Sequence, residues 1–96
     1  MATVVIAPAA SEDLDRLTER LHLPADTRRR VAARLGDLEH FPLLGPALTG
    51  RWWGFRFLLG PWSWMLIVYR YDDQLDQVDV VTLQDSRTAA AATSSR

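Results

Sequence analysis

The chain has 96 residues, enough for one domain with a modest core, and 48% of them are apolar, unlike a disordered segment. Eleven basic against twelve acidic side chains leave a net charge of −1, which argues against a protein that depends on broad attraction to nucleic-acid phosphates. There is no cysteine, so disulfides and thiolate metal sites are excluded. The longest apolar run, Trp62 to Tyr69, is broken by Ser63 and is too short to span a bilayer. No basic segment precedes Val4-Val5-Ile6, so a signal peptide is not expected and a soluble, cytoplasmic protein is.

In chain order, Thr3 to Ala7 is a β-branched, apolar run stopped by Pro8, which predicts a strand. Ser11 is placed to cap a helix, with Glu12 and Asp13 in its first turn and Leu14, Leu17 and Leu21 along one buried stripe. Pro24 ends that helix. Asp26 then caps a second, with Val31, Leu35 and Leu38 on its apolar stripe and a stop near His40 imposed by Pro42. After a loop from Phe41 to Gly50 the period changes to that of strands: Arg51 to Leu59, Trp62 to Tyr71 and Val78 to Leu83, joined by short links that favour antiparallel hairpins. The expected class is α+β, in the order β-α-α-β-β-β, with a helical hairpin on one face of a small, mainly antiparallel sheet. Residues 1–87 form the domain, and the Ala/Thr/Ser-rich stretch 88–96 reads as a disordered tail.

Both faces of this sheet read as apolar. Trp53, Phe55, Phe57 and Leu59 share one side of their strand, and Trp52, Arg56 and Leu58 share the other. Trp64, Leu66 and Val68 alternate with Met65, Ile67 and Tyr69 on the next. Two helices cover one face only. The other is then either a partner surface, with Trp52, Trp64 and Leu58 as its anchors, or is roofed by the loop from Phe41 to Gly50.

No metal cluster, phosphate-binding glycine loop or nucleophile elbow is present, and no cofactor is expected. His22 and His40 sit where helices end, positions that suit the final carbonyls and the helix dipole. Arg28, Arg29, Arg30 and Arg34 read as a solvated helix face paired with Glu12, Asp15 or Glu19, or as a site for an acidic partner. Arg56, Arg70 and Arg87 belong to the sheet. Converging beside Tyr69 or Tyr71 they could hold a phosphate and stabilise charge developing on it. Arginine is a poor base, so cleavage chemistry would also need Asp85, His40 or a tyrosine. The alternative is that these arginines solubilise strand ends, with Arg87 paired to Asp85.

Ala7-Pro8-Ala9-Ala10 with Asp13-Leu14, Leu38 to Pro42, Leu48-Thr49-Gly50, Gly54-Phe55-Arg56-Phe57, Leu66 to Arg70 and Asp85-Ser86-Arg87 together resemble the RelE/ParE superfamily of toxins over residues 3 to 87. The resemblance implies a bacterial type II toxin neutralised by a cognate antitoxin, and able to form homo- or hetero-oligomers. It implies either a metal-independent endoribonuclease that cuts mRNA on the ribosome or an inhibitor of DNA gyrase; a non-toxic interaction module on the same fold is a third reading. Under the ribonuclease reading, Arg56, Arg87, Arg70 and Tyr69 are the candidate catalytic residues. Leu58 stands where a second basic residue is common, Met65-Leu66 replaces the Tyr-Arg that enters the third strand, and no tyrosine follows Arg87. These departures favour action by contact.

Overall fold

The computed structural model describes residues 1–88 and 90–94. Its elements are β1 (Thr3–Ile6), α1 (Pro8–Leu21), α2 (Thr27–His40), a 3-10 turn (Gly50–Trp52), β2 (Arg56–Leu59), β3 (Met65–Asp72) and β4 (Gln77–Asp85). The sheet order is β1-β4-β3-β2, antiparallel throughout except that β1 runs parallel to β4. This is the expected β-α-α-β-β-β arrangement. Neither helix is long and apolar enough to cross a membrane.

Local chemistry sets the boundaries, and it shifts several of them. α1 starts at Pro8, three residues before the expected Ser11 cap. Proline has no N–H to leave unsatisfied in a first turn and its φ is already helical, so the helix begins as soon as β1 ends. Glu12 and Asp13 therefore fall beyond the first turn, and Asp13 takes another task. β1 pairs with β4 only as far as Val80; past that point the Leu83 N–H and the Thr82 hydroxyl both donate to the Asp13 carboxylate. A helix side chain thus serves the backbone that β1 leaves unpaired. Asp26 stands at the start of α2 without a side-chain cap bond; the nearby Thr27 hydroxyl donates to Pro24 O instead, at 2.6 Å.

The expected strand from Arg51 is shortened to Arg56–Leu59, because Gly50 and Gly54 take φ of +64° and +92° and fold the stretch between them into turns. β3 is the centre of the molecule: Met65 through Tyr69 are all buried, whichever way they point. Met65, Ile67 and Tyr69 face the helices, packing with Leu58, Val78, Val80, Leu14, Leu17, Val31, Leu35 and Leu38. Leu66 and Val68 face away, and there Leu48, Trp52, Phe55, Phe57, Val81, Ala91 and Ala92 close over them. The second face is therefore largely roofed by the chain itself. Of the expected tail, Ala89, Ser95 and Arg96 lie outside the described residues; the Ala92 N–H donates to the Gln84 side chain at 2.7 Å.

The segment that leads into Leu48 depends on a glycine. Gly45 is buried, and a Cβ there would lie 2.0 Å from Phe57 O and 3.0 Å from the Tyr69 hydroxyl. Gly36, inside α2, has open space at the same position. Gly45→Ala should cost about 1–3 kcal/mol or more through overpacking against backbone, whereas Gly36→Ala should stabilise by about 0.5–1 kcal/mol through helix propensity. Thermal unfolding of the two variants checks both signs.

Candidate functional site

The residues expected to form one site are distributed over three places. Arg56 and Tyr69 stand opposite each other across β2 and β3, on the helix side of the sheet. Tyr69 is fully buried, and its hydroxyl accepts a hydrogen bond from the Gly45 N–H at 2.9 Å. Burial pushes the phenol above its ordinary value, opposed by that bond and by the Arg56 charge. Arg56 Nη1 donates to Gly45 O at 2.8 Å and lies 3.5 Å from Leu43 O. Both side chains therefore hold the segment 43–45 from the sheet beneath it.

Arg87 is elsewhere. Asp85 pairs with Met65, four residues along β3 from Tyr69, which is about 13 Å at the strand rise. Arg87 Nε and Nη2 donate to the two oxygens of Asp85, both at 2.8 Å, in the fork geometry that arginine forms with carboxylates. Its guanidinium also lies 4.7 Å from the Trp64 ring centre. Trp64 stacks on Trp62 at 5.9 Å and 13°, and the Arg30 guanidinium of α2 lies 4.8 Å from the Trp62 ring centre. The result is a continuous ladder, Arg30–Trp62–Trp64–Arg87–Asp85, tying α2 to the β2–β3 turn and the end of β4. Hydrogen bonds from Arg87 hold the Asp85 carboxyl below the usual carboxylate range.

Arg70 occupies the opposite face, 5.8 Å from the Phe55 ring centre and 3.8 Å from Asp79. Three guanidinium groups converging beside one tyrosine are thus not found. The expected partner anchors are also reassigned. Leu58 is 5% exposed beneath the helices, Trp64 is a rung of the ladder, and Trp52 packs edge-on against Phe55 at 5.5 Å. The Trp52 indole N–H is buried without an acceptor among the described residues; its ring borders a cavity of about 560 Å³ with Leu48, Phe57, Ala91 and Ala92.

The helical arginines separate in the same way. Only Arg28 reaches the neighbouring helix, through Asp15 and Ser11; Arg29 meets Asp26 and Arg34 meets Asp37. Arg34 also donates to Leu59 O at 2.9 Å. His22 caps α1 in the left-handed conformation, its N–H donating to Thr18 O, and His40 ends α2. Among the described residues no three His, Asp or Glu side chains gather to hold a metal ion. What sequence reasoning missed is an exposed apolar segment, Phe41, Leu43 and Leu44, together with Trp53 at 82% exposure. Pro42 and the short apolar run beside it were its only signal.

No family model matches the chain, and no curated protein does. Solved structures do. The chain is similar to the RelBE2 toxin–antitoxin complex of Mycobacterium tuberculosis, with 25% identity over 88% of this chain and 96% of that one, at a TM-score of 0.65. It is similar to a metal-bound toxin of Helicobacter pylori, with 22% identity over 88% and 94% and a TM-score of 0.63. YafQ of E. coli shares 13% identity over 95% and 100%, with a TM-score of 0.62. The resemblance to RelE/ParE toxins drawn from the sequence is a likeness of fold across nearly the whole domain.

Two expectations follow from this geometry. Tyr69→Phe leaves the buried Gly45 N–H without its acceptor and should cost about 1–3 kcal/mol in denaturant unfolding. For Asp85, whose folded value is depressed, the stabilisation is present above the unfolded value of about 3.9 and is lost as pH falls through the lower folded value. Melting temperatures measured from pH 6 down to about pH 2 should fall more steeply for the wild type than for Asp85→Asn.

Proposed function

We propose that this chain, which has the fold of the RelE/ParE toxins, is the toxin of a bacterial type II toxin–antitoxin pair. It blocks growth by contact with an essential protein, DNA gyrase being the target that the family resemblance suggests. One observation carries the mechanism: the residues that would do RelE-like chemistry already hold partners within the fold, and Arg87 and Arg70 stand apart from the Arg56–Tyr69 pair. Arg87 is committed to Asp85 and Trp64, Arg56 to Gly45 O, and Tyr69 to the Gly45 N–H. A scissile phosphate would meet guanidinium groups whose directions are already set by those partners and which do not converge on one point. The near-neutral charge gives little attraction to ribosomal RNA. Similarity to the RelBE2 complex supports a cognate antitoxin as the neutralising partner.

That same similarity favours a second reading, a RelE-like ribonuclease acting on ribosome-bound mRNA. The two separate on the arginines. Expression of the chain alone should arrest bacterial growth, and co-expression of its antitoxin should relieve the arrest. Under the contact reading, Arg87→Ala leaves the arrest in place wherever the variant still folds, and purified protein cuts no ribosome-bound mRNA. Cleavage that drops about a hundredfold to a thousandfold in Arg56→Ala, with the melting temperature kept, would instead establish the ribonuclease.

A further inference from the structure

Three exposed apolar side chains follow one another closely at the end of α2. Phe41, Leu43 and Leu44 are 65%, 58% and 48% exposed, and with His40, Pro42 and Tyr71 they line an open groove of about 520 Å³. Such side chains in a loose loop would carry little meaning, but this segment is fixed. The Phe41 N–H donates to Asp37 O and the Leu44 N–H to Phe41 O. Gly45 follows immediately, held through its N–H by Tyr69 and through its carbonyl by Arg56. The fold thus commits a buried hydroxyl and a guanidinium to presenting three apolar side chains to water. A surface set in place beforehand loses less freedom when a partner arrives.

Carboxylates predominate on the Tyr71 side of the groove, at the turn from β3 to β4. The Tyr71 hydroxyl donates to Asp76 at 2.6 Å, and Asp72, whose carboxylate accepts from the Gln74 and Leu75 N–H groups, and Asp73 follow Tyr71 in the chain. Arg56, the cation bonded to this segment, has its Nη1 on the Gly45 carbonyl, and Arg70 lies on the other face of the sheet beside Asp79. We propose that Phe41, Leu43, Leu44 and Tyr71 form a docking surface for an amphipathic protein segment whose apolar residues are flanked by lysine or arginine. The carboxylate rim attracts that class of segment and repels nucleic acid and anionic lipid. This rests on the contact reading, and assigns the contact to a place.

The probe is a synthetic amphipathic helix of leucine and lysine, titrated against the full-length chain, with a counterpart carrying glutamate at each lysine. The lysine peptide should bind and the glutamate peptide should not. Leu43→Ser, which removes an exposed side chain and should leave the melting temperature unchanged, should weaken binding about tenfold. Asp73→Lys should weaken it about twofold to fivefold and flatten its dependence on salt. Equal binding of both peptides, no binding of either, or binding indifferent to Leu43→Ser would overturn the proposal. So would a wild-type dimer that Leu43→Ser dissolves, since a second copy would then own the surface. Growth assays separate this from the reading beneath it. A toxic chain that stays fully toxic as Leu43→Ser removes the surface from the mechanism, while contact elsewhere survives. A chain that arrests no growth removes the contact reading, and the titration still decides the surface.

Discussion

Everything in this fold answers to β3. Five consecutive residues, Met65 to Tyr69, are buried, so the strand needs apolar cover on both faces, which is unusual for an antiparallel sheet. In a short chain, two helices provide one cover and cannot provide the other. The second comes from irregular backbone: the 3-10 turn with Trp52, the segment bearing Leu48, and the stretch bearing Ala91 and Ala92. Irregular backbone must be held by specific bonds, because it lacks a ladder of its own. Leu48 N–H to Phe55 O and Phe57 N–H to Pro46 O extend the pairing of β2 by a few residues, and Tyr69 and Arg56 fix Gly45 just before them.

This requirement explains the disposition of the arginines. A guanidinium can serve a phosphate, a carboxylate, a carbonyl or an aromatic face, and the sequence does not say which. Here Arg34 and Arg56 each serve a main-chain carbonyl, Arg30 and Arg87 cover tryptophans, and Arg28 and Arg29 meet carboxylates. The Arg30–Trp62–Trp64–Arg87 ladder closes the end of the sheet where the β2–β3 turn exposes two large rings. Without those cations the indole faces would border water or pack only on each other.

The class, the element order and the alternation along β3 were legible because they follow from periods. Leu14, Leu17 and Val31, Leu35, Leu38 repeat at helical spacing, and Met65, Ile67, Tyr69 against Leu66, Val68 repeat at two. Boundaries were less legible, since Ser11 and Pro8 both signal a helix start and only the end of β1 pairing decides between them. The Arg87–Asp85 pair could be read from local spacing. The meeting of Arg56, Tyr69 and Gly45 could not, because it joins residues 11 and 24 positions apart whose contact depends on the path of an irregular loop. For the same reason the sequence puts Leu58 on the partner face with Trp52: the two share a side only in an unbroken strand from Arg51, and the turns at Gly50 and Gly54 break it.

Covering β3 on both faces has a consequence for where a partner can reach. A sheet face roofed by its own chain offers an incoming protein no apolar surface unless the roof moves. The backbone bonds that join the Leu48 segment to β2, Leu48 N–H to Phe55 O and Phe57 N–H to Pro46 O, make such movement costly. Yet the path to those bonds brings Phe41, Leu43 and Leu44 to the surface, because the chain leaving α2 must cross to the edge of β2 within a few residues. The exposed segment is therefore a by-product of roofing the sheet in the first instance, and a by-product need not remain apolar. Serine or glutamate at position 43 would make the same backbone path without the exposed area. That three large apolar side chains stand there, on backbone already held still and beside carboxylates of one sign, is the feature that roofing alone does not require.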